Sequence, residues 1–280
     1  MTQNIYRYLS LNTEKHLEWF LGYLEGQAYF SSPLNFNDPF EMGATISPPS
    51  IEALMIAIPE VHGNYLSKNN QRKVAENVHS KFKSDPQKVV SEERMQNIGV
   101  MCLSEDKNNK LMWSHYADSH RGICIGFSTE YPPFSLAKKV IYSNQRPEVP
   151  FARSDTLSAE VIGKILLTKS LDWEYEKEWR IIKRKLSENE KLFYKESLNK
   201  NSDSIDDIVD LLANHDGPGL YNFNESSIKS IYFGSRIDEN NKKTILSRVN
   251  KLPFKIKIFQ CEIDRRYFLI NFNKINKNDK

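Results

Sequence analysis

Residues 100–127 read VMCLSEDKNNKLMWSHYADSHRGICIGF, and their pattern indicates the fold class. VMCLSED, residues 100–106, is a short apolar run that predicts a buried strand, and KLMWSHYADSH, residues 110–120, predicts a helix. GICIGF, residues 122–127, sets β-branched residues between two glycines and predicts another strand. We therefore expect an α+β fold with mixed or antiparallel strands.

The remainder of the chain extends this pattern. IYRYL at residues 5–9 predicts a first strand, and the spacing of apolar residues predicts a helix with one buried face over 14–24. Further strands are predicted at 138–143, at 178–186 and in the carboxy-terminal third. Helices and strands thus alternate without a repeated unit.

Two segments differ in composition from the rest. Residues 50–97 are strongly charged and mostly helical in pattern, and they predict a helical insertion. Residues 197–218 are polar and predict an excursion on the surface. Because no clean linker separates these segments, residues 1–280 are predicted to form a single domain.

The composition limits the class of protein. The 280 residues carry 39 Lys and Arg against 36 Asp and Glu, so the overall charge does not by itself require nucleic acid. We expect no signal peptide, no transmembrane helix and no membrane partner. The three cysteines form no C-x-x-C pair and favour a reduced, cytoplasmic setting. Phosphate-binding motifs of the P-loop and Rossmann types are missing from the sequence.

Two candidate binding segments lie near the start of the chain. Tyr6, Arg7 and Tyr8 follow one another on the first predicted strand. Asn37 and Asp38 stand in the loop FNDPFE, residues 36–41, where Asn, Asp and Pro are also ordinary turn residues. Two phenylalanines flank that turn, and we expect both to pack into the body of the protein and hold a polar loop beside a binding site.

The helix MWSHY, residues 112–116, offers aromatic and imidazole groups. Trp113 and Tyr116 are three residues apart and share a helix face, whereas His115 points away from both. An aromatic core face explains the pattern as well as a binding site does. The cysteines and histidines of this region lack the spacing of zinc ligands, so no metal is expected.

Carboxylates are concentrated just before the strand at 178–186. If the segment is extended, Glu174, Glu176 and Glu178 project to one side, and their mutual repulsion raises the pKa of one of them. Such a carboxylate is suited to orienting a hydroxyl or accepting its proton. A charged strand edge that prevents aggregation is the alternative explanation.

A metal-dependent nuclease is a further alternative. Nucleases of the restriction type place an acid before an acid-x-Lys element, and Glu105-Asp106-Lys107 has the acid-x-Lys form. The nearest promising acid upstream is Asp38, far away in sequence. The pattern therefore favours this class of enzyme only weakly.

These blocks together resemble a known bacterial family. YRYLSLN, FSSPLNFNDPFE, MWSHYADSHRGICIGF, WEYEKEWR and IYFGSRI occur in this order and are similar to the family catalogued as domain of unknown function 2971. The resemblance runs from the amino terminus to about residue 240. It implies no established activity, but some members of the family lie near mobile or defence loci.

A second resemblance concerns layout. The order of strand, helix and Gly turn in IYRYLSLNTEKHLEWFLGYLEGQAYF, the strand and helix of VMCLSEDKNNKLMWSHYA, and the acid-x-acid pair in EYEKEWRII are similar to ADP-ribosyltransferases. The first strand departs from that family because it has no His-Gly-Thr triplet. The resemblance implies an ADP-ribosyltransferase-like core that uses NAD to modify a macromolecule, protein or nucleic acid, in a toxin or phage-defence effector. The alternative is a non-catalytic binding or regulatory module of a defence system.

The resemblance also implies roles for single residues. Glu178 is expected to be the residue whose loss abolishes the reaction while the fold survives, and Glu176 is the second choice. The full set comprises the catalytic candidates Glu178, Glu176, Tyr116 and His115, and the NAD-binding candidates Arg7, Tyr8, Ser104, Asn37 and Asp38.

Overall fold

The computed structural model describes residues 3–47, 49–62, 66–84, 95–150, 159–185, 192 and 217–275. The helices in these residues are α1 (Glu14–Leu24), α2 (Ile51–His62), α3 (Lys68–Ser84), α4 (Lys110–His115), α5 (Ala159–Leu166) and α6 (Glu239–Asn250). The strands are β1 (Asn4–Leu9), β2 (Gln27–Phe30), β3 (Thr45–Ser47), β4 (Ile98–Ser104), β5 (Ile123–Ser128), β6 (Lys138–Lys139), β7 (Ile141–Ser143), β8 (Glu148–Pro150), β9 (Thr168–Ser170), β10 (Glu178–Arg184), β11 (Gly219–Asn222), β12 (Ile228–Phe233), β13 (Lys257–Ile263) and β14 (Ile270–Ile275).

The chain divides into two compact units. The sheet unit comprises Met1–Asn35, Met95–Val140 and Asp172–Lys280, and the second unit comprises Phe36–Arg94 and Ile141–Leu171. The single domain with an insertion at 50–97 stays a prediction. Most of the polar excursion predicted at 197–218 lies outside the described residues.

An eight-stranded sheet forms the centre of the sheet unit. Its strand order is β14-β13-β12-β5-β1-β4-β10-β6, with β12 and β13 parallel and the other neighbouring pairs antiparallel. The predicted α+β class with a mixed, mostly antiparallel sheet is confirmed. The apolar run of β5 is buried at every residue because it lies between β1 and β12 with both faces covered.

The two faces of β1 carry different side chains, as the strand period of two requires. Ile5 packs in the main core, where Phe20 and Leu24 of α1 also lie. Tyr8 packs on the opposite side in a second cluster with Trp113 of α4 and Tyr232 of β12. The first strand is therefore enclosed between α1 and α4.

Helix α1 begins and ends where the sequence provides caps. The Thr13 hydroxyl accepts a hydrogen bond from the backbone N–H of His16 at 3.2 Å. Gly26 follows the helix with φ +73°, a left-handed conformation that suits glycine. The chain then returns as β2, which pairs antiparallel with β11 in a small separate sheet.

The second unit combines a helical pair with two short parallel strand pairs. Helices α2 and α3 pack through Leu54, Ile58 and Ala75. Strand β3 pairs with β8, and β7 pairs with β9. In the described part of the chain, every helix is too short or too polar to cross a membrane.

Candidate functional site

The sheet unit contains a cleft beside the point where β1 separates from β4. Strand β1 pairs with β5 over its whole length. All residues of β1 and β4 are described, and these two strands pair only at Tyr6 and Ser104. Further along, β4 is bridged to Ser31, just after β2. The cleft has a volume of about 640 Å³ and is lined mainly by β1, α1 and β2, with Tyr116 contributing from the end of α4. We call it the β1–α1 cleft.

Arg7 lines this cleft and has an unused donor. Its guanidinium carbon lies 5.9 Å from the centre of the Tyr23 ring of α1. Its Nη1 atom is buried, and no acceptor among the described residues reaches it. A buried N–H without an acceptor destabilises the folded chain. A bound anion would satisfy that donor with a charge-assisted hydrogen bond.

Tyr8 also lines the cleft, but its hydroxyl is already engaged. The ring meets Trp113 edge to face, with centroids 5.3 Å apart, and the hydroxyl donates to the backbone carbonyl of Asp106 at 2.7 Å. Burial of the side chain raises the pKa of Tyr8 far above its usual value. Tyr8 is thus a neutral wall of the cleft at any ordinary pH.

Tyr116 connects the cleft to a buried carboxylate. Its hydroxyl donates a 2.5 Å hydrogen bond to Oε1 of Glu176, whose residue is only 2% exposed. The backbone of Glu176 is held as well, because its carbonyl accepts a 2.6 Å hydrogen bond from the Ser104 hydroxyl. Glu176 is consequently a predicted carboxylate in contact with a residue that lines the cleft.

Glu178 occupies a different environment. Its two carboxylate oxygens accept hydrogen bonds of 2.7 and 2.9 Å from the guanidinium of Arg180, two residues along β10. Both residues are almost fully buried, at 4% and 1% exposure. Burial is the largest cause that raises the pKa of the neighbouring Cys102 thiol, and the negative charge of Glu178 is the second. Glu178 does not line the β1–α1 cleft.

The three glutamates before β10 do not project from one extended segment. Residues Leu171–Glu176 form a 3₁₀ helix, and Lys177 follows with φ 46°. Glu174 is exposed, whereas Glu176 and Glu178 are buried. The expected row of carboxylates on one side of a strand is wrong because the chain turns before the sheet begins.

Ser104 and His115 differ in exposure. Ser104 is fully buried, and its hydroxyl accepts a hydrogen bond from the backbone N–H of Asp106 while it donates to Glu176. His115 is exposed at the end of α4, with its ring 6.4 Å from that of Tyr175. Neither residue lines the β1–α1 cleft. Their assigned roles stay predictions.

The sequence analysis missed an aromatic wall of the cleft. Trp19 of α1 and Tyr29 of β2 are 48% and 41% exposed, and their rings lie almost parallel with centroids 6.2 Å apart. Lys15 places its ammonium 5.0 Å from the Trp19 ring. The spacing of Lys15, Trp19 and Tyr23 by four residues was the available signal, since it places them on one helix side.

The loop of Asn37 and Asp38 belongs to the second unit. Asp38 is 7% exposed, and its Oδ1 accepts a 2.9 Å hydrogen bond from the backbone N–H of Phe40, as expected of a turn. Asn37 is exposed. Phe40 is 69% exposed, so the expectation that it packs into the core is wrong. A role of this loop in NAD binding stays a prediction.

Glu41 of the same loop forms a buried ion pair. Its carboxylate lies 3.1 Å from the ammonium of Lys169, and both side chains are at most 4% exposed. Two charges removed from water in this way compensate each other. This ion pair explains the presence of a charged residue, Glu41, in the loop.

The acid-x-Lys element that suggested a nuclease is arranged for structural contacts. Lys107 points its ammonium at three aromatic rings, 5.3 Å from Phe272 and 5.9 Å from both Tyr6 and Tyr232. Glu105 pairs with Lys139 at 2.9 Å. Within the described ranges, no three His, Cys, Asp or Glu side chains come together as a metal site.

Comparison with known protein families gives a match to part of the chain. The family model described as "Protein of unknown function (DUF2971)" matches residues 112–181. This confirms the predicted resemblance over a segment that contains the MWSHYADSHRGICIGF and WEYEKEWR blocks, from α4 into β10. Comparisons with curated proteins and with solved structures give no match.

Proposed function

We propose that the sheet unit has an ADP-ribosyltransferase-like core that binds NAD in the β1–α1 cleft and transfers its ADP-ribose to a macromolecular acceptor. The observation that carries this proposal is the buried Nη1 of Arg7, a donor without an acceptor inside a cleft walled by aromatic rings. The cleft volume of about 640 Å³ is in the range of small-molecule sites. A dinucleotide supplies both the anion and the flat rings that such a cleft accommodates.

In this proposal Arg7 holds the pyrophosphate and Tyr116 lies against the nicotinamide ribose. Glu176 orients a ribose hydroxyl, because Tyr116 already presents a hydroxyl to its carboxylate at 2.5 Å and a ligand hydroxyl is chemically equivalent. A carboxylate at this position stabilises the positive charge that develops on the ribose. The proposal assigns the reacting carboxylate to Glu176 because the Glu178 carboxylate already accepts two hydrogen bonds from Arg180.

The proposed reaction balances without a further reagent. The bond between ribose C1′ and the nicotinamide nitrogen breaks, and the electron pair leaves with neutral nicotinamide. A nucleophile on the acceptor forms the new bond to C1′ and releases its proton. The role of the protein is to orient the ribose and to stabilise the oxocarbenium-like transition state.

The test compares Glu176→Gln with Glu174→Gln. Both variants remove one carboxylate from the same 3₁₀ helix, but Glu174 is exposed and has no assigned role. We expect Glu176→Gln to lose at least about a hundredfold in nicotinamide release while NAD affinity stays within about tenfold, because the lost interaction belongs to the transition state. The readout is nicotinamide released from NAD by purified protein with cell lysate as acceptor. Equal release from Glu176→Gln and Glu174→Gln would refute the role of Glu176.

A non-catalytic nucleotide-binding module is the second candidate. It is favoured by the burial of both Glu176 and Glu178, each of which already bonds a protein side chain. In that case the wild-type protein binds NAD, and no lysate fraction elicits nicotinamide release. For either candidate we propose a setting as a toxin or phage-defence effector.

A further inference from the structure

One side of α1 carries two successive pairs of a cation and an aromatic ring. Lys15, Trp19 and Tyr23 are spaced by four residues, so they follow one another along the helix at steps of about 6 Å. The Lys15 ammonium lies 5.0 Å from the Trp19 ring. The Arg7 guanidinium lies 5.9 Å from the Tyr23 ring. A cation therefore accompanies each of these two rings, in a cleft whose lining also includes Glu18.

The outer pair of rings is accessible. Trp19 and Tyr29 are 48% and 41% exposed, lie within 4° of parallel and both line the cleft. Leu220 pairs with Tyr29 across the β2–β11 sheet, lines the cleft and is 66% exposed. Three large apolar side chains are thus left open to water next to the buried donor of Arg7. An exposed apolar patch beside a charged group is typical of a ligand-binding surface.

The charges of Lys15 and Arg7 favour binding of one ring of the dinucleotide over the other at this wall. The nicotinamide ring of NAD is a cation, and Lys15 and Arg7 would repel it. Adenine is neutral, and every nucleobase offers a flat face to an aromatic side chain. The phosphates next to adenosine carry the negative charge that the two cations attract.

We propose that Trp19 and Tyr29 bind the adenine base of the nucleotide, with Lys15 and Arg7 on the adjoining phosphates. This inference rests on the proposed function and assigns the ligand a direction in the cleft. Adenine lies at the Trp19 end, one helical turn beyond the Tyr23–Arg7 pair. The cationic nicotinamide is directed to the other end, toward Tyr116 and the carboxylate of Glu176. A nucleotide without adenine then uses only that end.

The binding of two fragments of NAD tests this orientation of the ligand in the cleft. ADP contains the adenine half of NAD, and nicotinamide mononucleotide contains the other half. We expect Trp19→Ala to weaken ADP binding at least about tenfold, because loss of one base–aromatic contact typically has an effect of this size. The affinity for nicotinamide mononucleotide should stay within about twofold. Calorimetric titration of the full chain measures both, with Tyr267→Ala as the control for loss of an exposed ring outside the cleft.

These measurements test the adenine site independently of the transfer reaction. ADP binding that depends on Trp19, in a wild-type protein without NAD turnover, supports the adenine site and rejects transferase activity. NAD turnover together with unchanged ADP affinity in Trp19→Ala rejects the adenine site and keeps the transferase. Failure of wild-type protein to bind ADP, or an equal loss of affinity for both fragments in Trp19→Ala, also overturns the inference.

Discussion

The hydroxyl of Tyr116 donates a 2.5 Å hydrogen bond to Oε1 of Glu176. One partner lines the β1–α1 cleft and the other is 2% exposed. The bond links α4 to the 3₁₀ helix that precedes β10, and both ends lie within the segment that the family model matches. It therefore connects a residue that lines the cleft to a buried carboxylate.

Tyr116→Phe removes that donor and keeps the ring. A buried carboxylate that loses a hydrogen bond destabilises the fold by about 1–3 kcal/mol, and we expect the free energy of unfolding to fall by an amount in this range. Nicotinamide release should fall as well, because Glu176 loses its fixed orientation. Urea denaturation measures the first effect. Tyr267→Phe is the control, since Tyr267 is 67% exposed and its hydroxyl is not needed in the core. If the two variants are equally stable, the Tyr116–Glu176 hydrogen bond does not contribute to the free energy of unfolding.

The Glu178–Arg180 pair predicts a different kind of defect. Glu178→Gln removes one charge from a buried ion pair and should lower the free energy of unfolding by about 3 kcal/mol, since the buried Arg180 guanidinium loses a charged partner. The double variant Glu178→Gln/Arg180→Met should recover part of this loss because both charges are gone. Urea denaturation of the single and double variants gives the comparison. A double variant less stable than the single one would contradict this account of the pair.

The sequence alone predicts that the fold survives loss of Glu178, whereas the buried ion pair predicts that this loss lowers stability. The strand itself was predicted correctly, because the apolar residues of β10 mark it in the sequence. The partner of the carboxylate was also visible two residues away. The burial of both groups was not, since it depends on packing contributed by distant parts of the chain. For the same reason the sequence showed the aromatic residues of α1 but not the cleft that they line.

The fold class and most elements of the sheet followed from the sequence because hydrophobic period and strand composition are local properties. The turn before β10 did not, because the 3₁₀ helix at Leu171–Glu176 leaves no clear hydrophobic period. The exposure of Phe40 was equally hidden, because an aromatic residue beside a turn is consistent with either environment. Convergence of side chains is a tertiary property, so only the folded chain shows that Trp19 and Tyr29 line one cleft.

His120 predicts a dependence of stability on pH. Burial, and then the nearby charge of Arg236, lower the pKa of this imidazole. Because the folded-state pKa lies below the unfolded one, the unfolded chain takes up the proton more readily. This contribution to stability is complete above the unfolded pKa of about 6.5 and is lost as the pH falls through the folded pKa. The wild-type protein should therefore melt at a lower temperature near pH 5.5 than near pH 7.5, in part because of His120.

The variant His120→Gln isolates this contribution. Its melting temperature should fall less between the two pH values than that of the wild type, because the titrating group is gone. His115→Gln serves as the control, since His115 is exposed on the neighbouring helix. A fall in His120→Gln as large as that in the wild type would show that other groups account for the whole dependence.

The proposed binding of an anionic ligand in the β1–α1 cleft depends most on Arg7. Its buried Nη1 lacks an acceptor among the described residues, so replacing the guanidinium should not break a structural hydrogen bond. Arg7→Met keeps an apolar stem against Tyr23 and removes the charge. The control is Arg121→Met, which removes an exposed guanidinium outside the cleft.

The most direct test titrates NAD into the wild-type protein and these two variants and records the melting temperature of each. We predict that Arg7→Met loses at least about thirtyfold in NAD affinity, as expected for a charge-assisted hydrogen bond, while its melting temperature is equal to or higher than that of the wild type. Arg121→Met should bind NAD like the wild type. Unchanged NAD affinity in Arg7→Met would contradict the account, and so would a loss of affinity accompanied by an equally clear loss of stability.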